Sequence, residues 1–491
     1  MGGRARFHEQ RRRMNRFWKT RATRVAAALV SGVLLYFSLG LTPSWLAAWL
    51  APVPLLLAAF HAAPREARLL AWLAAAVGLS SNLTYYWRVT GPVMTIVLTL
   101  LQVLLWGFFI ARTRAAVTAT RAWWAVYVFP LLAGGVDTLV AHFSPHGTWG
   151  SYAYTQMNAL PMIQIASVLG APAVVFIVAL IASTLAVALY RGRDIERPIL
   201  AYGLPLLLVV GTAGYGAVRL HGAAPESTVK VGIAAIDEYV GPPVPRGKAA
   251  AVWGRYDGIV RQLAGQGARI VVLPEKIDAL DPAEAAVRET TLASLAKRSG
   301  VYLLAGVQLD TPAARFNASW LFAPDGRLMA EYHKQHLVPG LEGDLTPGKR
   351  CEVRVIHGTP YGLAICRDML FSTLGRRYGR LGVSAMLIPA WDFERDAWME
   401  SATAMLRGVE NGYSIVRAGR NSYLNVSDRY GHIVARKRSS GLPGSSIVVA
   451  LPLGPARPTP YARVGDVFGW LCVAGALLIL VLPGWKRASS G

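Results

Sequence analysis

The 491-residue sequence has few cysteines and no phosphate-binding glycine motif. Its three cysteines, Cys351, Cys366 and Cys472, are too few for a disulfide framework. A bond between Cys351 and Cys366 would consume the Cys366 thiol, and we expect both to be free. The 48 glycines are scattered, and none forms the loop before a helix that a nucleotide site needs. Disulfide-stapled and nucleotide-binding classes are therefore disfavoured.

Charged residues are also scarce, at 16% of the chain, while 53% is hydrophobic and 15 residues are Trp. This composition is too apolar for an ordinary soluble enzyme and indicates a membrane protein. The net charge of +23 would also suit a nucleic-acid-binding protein. The position of the charge argues against that function, because nine Lys/Arg and one acidic residue lie in Met1–Arg24, directly before an apolar run. A basic flank beside a span marks a cytoplasmic end.

Apolar segments near the length of a membrane span, about 20 residues, recur along the chain. They predict eight spans, at 25–40, 43–62, 69–87, 92–111, 122–142, 162–190, 199–219 and 467–484. The first span could instead be a cleaved signal peptide. No small-residue cleavage site follows it clearly, so we prefer a retained signal-anchor.

Arginines in alternate loops predict the orientation of these spans. They lie on the same side as the basic N-terminus: Arg65, Arg68, Arg112, Arg114, Arg121, Arg191, Arg193 and Arg197. The positive-inside rule then predicts four parts. They are a basic cytoplasmic segment (1–24), seven transmembrane helices (25–219), an extracytoplasmic domain (220–462) and a final helix with a cytoplasmic tail (463–491).

The extracytoplasmic domain has the alternating pattern of an α/β fold. Seven β-rich stretches predict strands, at 229–236, 269–273, 301–307, 318–322, 361–365, 384–388 and 413–418. Helical patterns at 247–264, 283–298 and 395–410 alternate with them. Such alternation implies sheets covered by helices.

Three reactive side chains follow apolar strands or lie among polar residues after them: Glu275, Lys334 and Cys366. A thiol nucleophile needs a base for its proton and positive charge where an oxyanion develops. Taken alone, Cys366 could be inert core, Glu275 a turn cap and Lys334 a surface charge. Their order at successive strand ends is much more specific. His333 and His336 could suggest a metal site, but no third ligand is evident nearby, and we predict none.

The residues around these side chains resemble the motifs of the nitrilase (carbon–nitrogen hydrolase) superfamily. The matching motifs are Leu-Pro-Glu275, Lys334-Gln-His-Leu-Val-Pro with a later Glu342, and Ile-Cys366-Arg-Asp368. With the domain between membrane helices, the chain resembles the bacterial apolipoprotein N-acyltransferase family. The resemblance implies an eight-span helical bundle with an α-β-β-α sandwich, in the bacterial inner membrane with the sandwich on the periplasmic side.

The resemblance also implies a reaction. Glu275, Lys334 and Cys366 would be catalytic, and an acyl chain would pass from a phospholipid through a Cys366 thioester to the amine of a diacylglyceryl-cysteine apolipoprotein. Glu342 would orient Lys334 and the amine, and the Arg367 N–H would join Lys334 at the oxyanion. Asp368 and Trp391 complete the supporting residues. No metal or cofactor is implied, and we expect a monomer.

The chain departs from the family at several of these positions. Arg367 and Asp368 stand where the family has an aromatic residue and then Glu, and Lys276 stands where it has a small residue. The family's aromatic segment after the next strand is altered too, to Pro389-Ala-Trp391-Asp-Phe393. Two alternatives therefore stay open, a membrane-bound amidase or acyltransferase with another substrate and a catalytically inactive scaffold.

Overall fold

The computed structural model describes residues 18–222, 227–237, 246–439 and 444–481. Most of the predicted basic segment, residues 1–17, and the predicted C-terminal tail with Lys486 and Arg487 lie outside these ranges. The described chain forms a helical bundle that is continuous with an α/β domain.

In the described part of the chain, nine α-helices precede the α/β domain. They are α1 (Arg21–Leu39), α2 (Trp45–Leu50), α3 (Pro52–His61), α4 (Pro64–Ala119), α5 (Val128–Phe143), α6 (Leu160–Ile163), α7 (Ala166–Leu169), α8 (Ala171–Arg191) and α9 (Leu204–His221). Among the described residues, five helical segments are long and apolar enough to cross a membrane: Arg21–Leu39, Pro64–Ala119, Trp123–Phe143, Ala171–Arg191 and Ile199–His221. The apolar helices at Trp45–His61, Leu160–Leu169 and Val467–Val481 are shorter. Eight complete spans stay a prediction.

The 56-residue helix α4 consists of two halves that fold back on each other. Gly91 has non-helical backbone angles (φ 78°, ψ 170°), and Pro92 follows it. Trp72 of the first half packs against Gly107 of the second, where an added Cβ would lie 2.1 Å from Trp72 Nε1. The predicted spans 69–87 and 92–111 therefore correspond to two antiparallel halves.

The predicted continuous span at 162–190 was wrong. Gly170 has a left-handed φ of 78° and separates α7 from α8, so the long helix begins only at Ala171. The run is apolar throughout, and hydropathy does not reveal such a break. The short helices α6 and α7 instead pack beneath the α/β domain, where Ile163 and Ala166 join a buried cluster with Met399 and Leu406.

The α/β domain is built from two sheets. Its strands are β1 (Ser227–Ala235), β2 (Ile270–Val272), β3 (Ala279–Leu280), β4 (Tyr302–Asp310), β5 (Arg315–Phe322), β6 (Leu328–His333), β7 (Glu352–Ile356), β8 (Thr359–Leu363), β9 (Ala385–Trp391), β10 (Ser414–Arg420), β11 (Tyr423–Ser427), β12 (Ile433–Arg438) and β13 (Ser445–Leu453). One sheet has the order β13-β1-β2-β4-β5-β6 with β3 beside β4, and the other has the order β12-β11-β10-β9-β8-β7. Strands β1, β2 and β4 are mutually parallel, as are β8, β9 and β10.

Helices cover the outer faces of the two sheets. Apolar side chains from both sheets form one central core, including Ile233, Leu304, Leu363 and Leu387. Helices α10 (Arg246–Gly265) and α11 (Pro282–Ser299) cover the first sheet, while α12 (Ser372–Arg380) and α13 (Ala397–Asn411) cover the second. The predicted α-β-β-α sandwich is confirmed. Helices α14 (Pro460–Val464) and α15 (Val467–Val481) then return the chain to the bundle.

The bundle and the sandwich are joined by polar contacts as well as by packing. The Ala171 N–H at the start of α8 donates to Glu410 Oε1 at 2.9 Å. Thr148, in the loop after α5, donates through its N–H and its hydroxyl to the Leu370 carbonyl, at 2.9 and 2.7 Å. The second contact anchors a bundle loop directly on the segment that carries Cys366.

Candidate active site

Cys366 lies just beyond the end of β8 and opens the short 3-10 helix Cys366–Leu370. Its φ of 45° is unusual for a non-glycine residue, and such strain is often found at functional sites. The side chain is 6% exposed, and Sγ lies 3.5 Å from the Trp391 carbonyl oxygen. Burial, and then the charge of Glu275, raise the pKa of the Cys366 thiol well above its usual value. The resting group is a thiol that needs a base.

Glu275 follows β2 and is buried. It lies close to Glu342, because both carboxylates contact Lys334. Its Oε1 accepts hydrogen bonds from Lys334 Nζ at 2.8 Å and from Asn317 Nδ2 at 2.6 Å. The Pro274–Glu275 segment crosses β4 closely enough that a Cβ on Gly306 would lie 2.4 Å from the Pro274 carbonyl oxygen. Because Gly306 has no side chain, the segment that carries Glu275 can pass this close to β4.

Lys334 follows β6 and is 1% exposed. Its Nζ lies between two carboxylates, 2.8 Å from Glu275 Oε1 and 3.0 Å from Glu342 Oε2. Burial opposes the charged form, but Glu275 and Glu342 outweigh it and raise the pKa of Lys334 above its usual value. The side chain is therefore a fixed ammonium, suited to stabilising an oxyanion.

Glu342 connects two lysines. Its Oε1 accepts from Lys276 Nζ at 2.8 Å and from Asn317 Nδ2 at 2.7 Å, while Oε2 accepts from the Val338 N–H at 2.8 Å. Burial raises the pKa of Glu342, but Lys334 and Lys276 oppose this and bring it to about 2. Glu342 is thus a permanent anion that fixes the position of Lys334.

Asp368 connects the nucleophile to the lysine loop. Its Oδ1 accepts the backbone N–H groups of Gln335 at 3.1 Å and His336 at 2.9 Å. Its Oδ2 accepts the Tyr332 hydroxyl at 2.7 Å and the Ile365 N–H at 3.0 Å. Asp368 is fully buried and supports the site from behind Cys366.

Arg367 and Trp391 lie on the cavity side of the nucleophile. Arg367 Nη2 donates to the carbonyl of Pro145, in the bundle loop after α5. The Trp391 ring is flanked by two cations, with Lys276 Nζ 5.3 Å and Arg420 Cζ 4.2 Å from its centroid. Trp391 thus holds Lys276 in place and also supplies the carbonyl next to Cys366 Sγ.

Two further carboxylates, Asp392 and Glu400, lie near the Cys366 thiol. Potential ligand atoms of Cys366, Asp392 and Glu400 are within 4.8 Å of one another, the spacing of a candidate cation site. Both Asp392 oxygens, however, accept from Arg417, at 2.5 and 2.8 Å. Arg417 already provides the positive charge that a metal would bring, so these residues do not favour a metal there.

The two histidines of the lysine motif have packing roles. His333 stacks on Phe316 with ring centroids 4.1 Å apart and pairs with Glu331 at 2.6 Å. His336 stacks on Phe371 at 3.7 Å. Each ring thus contacts one aromatic ring and one carboxylate, because His336 Nδ1 also lies 3.1 Å from Asp368 Oδ1.

A large cavity joins the site to the helical bundle. Its volume is about 1130 Å³, and it contacts Glu275, Lys334 and Cys366 at one end. Helices α4 and α5 supply much of the remaining wall with apolar side chains, including Leu98, Leu101, Phe109, Phe129 and Val140. A space that is apolar in the bundle and charged at the thiol suits an acyl chain with its ester at Cys366.

Several site residues were missed by the sequence reasoning. Asn317, which bridges Glu275 and Glu342, directly precedes a predicted strand and was not singled out as a site residue. Arg417 was hidden in a predicted strand, although an arginine in an otherwise apolar strand is a usable signal of a buried ion pair. Tyr85 was placed in a membrane span. Its hydroxyl donates to Asp396 Oδ2 at 2.7 Å, although the two residues are 311 positions apart in the sequence.

Comparison with known proteins agrees with this architecture. The carbon–nitrogen hydrolase family model matches residues 231–438, and the model of the apolipoprotein N-acyltransferase N-terminal domain matches residues 31–184. The fold and the site thus define a membrane-associated acyl-transferring enzyme of the nitrilase superfamily. Within that superfamily, the chain is similar to apolipoprotein N-acyltransferases over most of its length.

Individual relatives show how far the similarity extends. The apolipoprotein N-acyltransferase of Geobacter metallireducens is 28% identical over 94% of this chain and 95% of its own length. That of Bradyrhizobium diazoefficiens is 24% identical over 76% of each chain. The omega-amidase NIT2 of Danio rerio is 33% identical over 28% of this chain and 56% of its own. Among solved structures, an amidase from Nesterenkonia sp. aligns with a TM-score of 0.42 at 18% identity, over 48% of this chain and 93% of that one.

Proposed function

We propose that this protein transfers an acyl chain from a phospholipid to the N-terminal amine of a diacylglyceryl-cysteine apolipoprotein, through a thioester on Cys366. The observation that carries the proposal is the cavity that runs from the thiol into the apolar helices. A donor whose chains stay in such a space need not leave an apolar environment, which would cost about 0.8 kcal/mol per CH₂.

In the first half of the reaction, Cys366 is acylated. Glu275 takes the proton from Sγ as the sulfur attacks the ester carbonyl carbon of the phospholipid. The tetrahedral intermediate then loses the glycerol oxygen, to which Glu275 returns the proton. The products are a lysophospholipid and a thioester on Cys366. The proton taken from the thiol ends on the new hydroxyl of the lysophospholipid.

In the second half, the acceptor amine attacks the thioester. Glu275 takes a proton from the amine nitrogen, the C–S bond breaks, and the proton passes to the departing sulfur. The products are an amide and the Cys366 thiol. The fixed Lys334 ammonium and the Arg367 N–H would stabilise the oxyanion in both halves, while Glu342 and Asp368 hold the lysine loop in place.

We also propose the cellular arrangement on which this chemistry depends. The arginine pattern supports an orientation with residues 220–462 on the periplasmic side of a bacterial inner membrane. Eight spans and a monomeric state are part of the same proposal. Both substrates would then meet the site from the outer leaflet. The segments 1–24, 25–219 and 463–491 would form the cytoplasmic N-terminus, the seven-helix bundle and the final helix with its tail.

Trapping the thioester tests the proposal. Purified protein incubated with acyl-labelled phospholipid, with no acceptor, should carry hydroxylamine-sensitive label on Cys366 and release an equal amount of lysophospholipid. A diacylglyceryl-cysteine peptide with a free amine should then take the label as a stable amide, and an N-blocked peptide should not. Cys366→Ala is the matched control and should remain unlabelled.

Other outcomes would favour the alternatives. A thioester that is discharged only to water would indicate a membrane hydrolase, and release of ammonia from a small amide without a lipid product would indicate an amidase. If Cys366→Ala supported lipoprotein acylation in cells as well as the wild type did, the catalytic proposal would be wrong.

A further inference from the structure

Four Lys or Arg side chains line the cavity, and three of them are ion-paired. Lys334 contacts Glu275 and Glu342, Lys276 contacts Glu342, and Arg315 contacts Asp310 and Asp344. The fourth is Arg367. It forms no ion pair with any residue in the described part of the chain, although it is only 6% exposed.

The guanidinium of Arg367 also has unused hydrogen-bonding capacity. An arginine carries five N–H donors. Only Nη2 is engaged, by the Pro145 carbonyl and by His146 Nδ1 at 3.5 Å, and the buried Nε has no partner. A buried cation without a counter-charge is costly unless something supplies the anion. This arrangement therefore favours an anionic ligand.

Two carboxylates act electrostatically on Arg367, Glu400 and Glu342, but neither forms an ion pair with it, and Glu342 is already bound by Lys276 and Lys334. Burial, followed by the charges of Asp392 and Asp396, raises the pKa of Glu400 to about 8. Burial, and then Arg367 itself, lower the pKa of His146, which leaves that ring neutral. The end of the cavity beside the thiol thus keeps the positive charge of Arg367.

We propose that Arg367 binds the phosphodiester of the acyl donor and makes the enzyme selective for phosphate-bearing lipids. The inference rests on the proposed function and names the feature of the donor that the site recognises. Arg367 directly follows the nucleophile, and in a glycerophospholipid the phosphate is a few bonds from the ester carbonyl that Cys366 attacks. A guanidinium matches phosphate oxygens with paired N–H donors.

The second substrate does not fit this role. The acceptor brings a reactive amine, which a neighbouring guanidinium would repel when the amine is protonated. The cation therefore belongs to the first half of the reaction. Once the lysophospholipid has left with its phosphate, Arg367 is again without a counter-anion until the acceptor has taken the acyl chain and a new donor binds.

The role assigned to Arg367 is tested by changing the residue and the donor lipid, separately and together. The rate of Cys366 thioester formation is measured for wild type and Arg367→Gln, with a phosphatidylglycerol donor and with a diacylglycerol that carries the same chains but no phosphate. We expect Arg367→Gln to lower kcat/KM for the phospholipid by about tenfold or more, the effect of losing charged hydrogen bonds. With diacylglycerol, kcat/KM of the wild type and of Arg367→Gln should agree within about twofold. This donor has no phosphate, so the contact that Arg367→Gln removes is already absent.

Two further proteins and one competitor complete the design. Arg367→Lys keeps the charge and should retain part of the preference for phosphate, whereas Arg327→Gln removes an exposed charge far from the cavity and should behave as wild type. Water-soluble glycerophosphoglycerol should inhibit the wild type more strongly than Arg367→Gln if the site reads the phosphodiester itself.

The possible failures are distinguishable. Equal losses with both donors would show that Arg367 serves the fold or the chemistry, and no loss with either would remove it from the site, so either result overturns the inference. If the wild type formed no thioester with any lipid, the proposed function itself would fail.

Discussion

Asp368 accepts a hydrogen bond from the backbone N–H of His336 at 2.9 Å. The two residues stand in equivalent places, because Asp368 lies two positions after Cys366 and His336 two positions after Lys334. The bond, with its neighbour from Gln335, sets the distance between the nucleophile and the cation that would stabilise its oxyanion. The relationship could arise only in the folded chain, across 32 residues.

Asp368→Asn should weaken catalysis without removing any reacting group. The amide nitrogen would face N–H donors where an oxygen now accepts them, so the lysine loop should shift. We expect kcat for thioester formation to fall by about tenfold or more, with a smaller change in KM and a loss of about 1–3 kcal/mol in stability. Asp368→Glu, which keeps the charge, should recover part of kcat. Normal kcat in a destabilised Asp368→Asn protein would make the residue purely structural.

Lys334→Met should abolish most of the acylation. Because Lys334 is a buried ammonium between two carboxylates, its loss removes the positive charge at the oxyanion, and we expect a decrease of about 10²–10³ in rate. The matched control is Lys276→Met, which disturbs Glu342 but leaves the Glu275 pair intact and should cost about tenfold or less. The measurement is the initial rate of Cys366 labelling at equal amounts of membrane-inserted protein.

Glu275→Gln should separate thiol reactivity from catalysis. The charge of Glu275 raises the pKa of Cys366, while Lys334 opposes it. Removing the carboxylate charge should therefore lower the thiol pKa and speed alkylation by iodoacetamide near neutral pH, although phospholipid acylation falls by about 10² or more. Cys351 and Cys472 should be replaced by Ala so that only Cys366 reacts. Slower alkylation would contradict the electrostatic role assigned to Glu275.

The reactive residues could be found from sequence because each lies in a short local motif. Glu275 and Cys366 follow strands with unmistakable apolar runs, whereas Lys334 was found by its motif among polar residues. The sheets bring the three together. Asp392 and Arg417 are different, since neither has a local motif and their pairing depends on the β9–β10 register. Strand β12 (Ile433–Arg438) was missed because it is largely exposed and basic, and so lacks an apolar pattern.

Bundle geometry was harder to predict than the sandwich. Hydropathy located the apolar segments but could not show that Gly170 interrupts one of them. It also could not show that the Tyr85 hydroxyl donates a hydrogen bond to Asp396 in the sandwich. Both features depend on the α/β domain resting on the bundle, a contact between segments hundreds of residues apart.

Glu400 should make stability depend on pH. Its pKa rises from the usual 4.5 to about 8 in the folded protein, chiefly through burial. The folded state therefore binds a proton more tightly than the unfolded state, and this contribution is fully present at acid pH and lost as pH rises towards about 8. In detergent, the wild-type Tm should fall across that window more steeply than that of Glu400→Gln. Parallel pH profiles would contradict the assignment.

Reporter fusions should decide the orientation of the whole chain. Gly192 ends α8 beside Arg191 and Arg193, and Gly326 lies in the turn between β5 and β6. Because arginines mark cytoplasmic loops, a fusion at Gly192 should be active with a cytoplasmic reporter and one at Gly326 with a periplasmic reporter. Replacing Arg191, Arg193 and Arg197 with Gln should weaken this bias. If both fusions report the same side, the number of spans between them is even and the predicted orientation is wrong. If that side is the cytoplasm, the site would also have no route to acceptors in the outer leaflet.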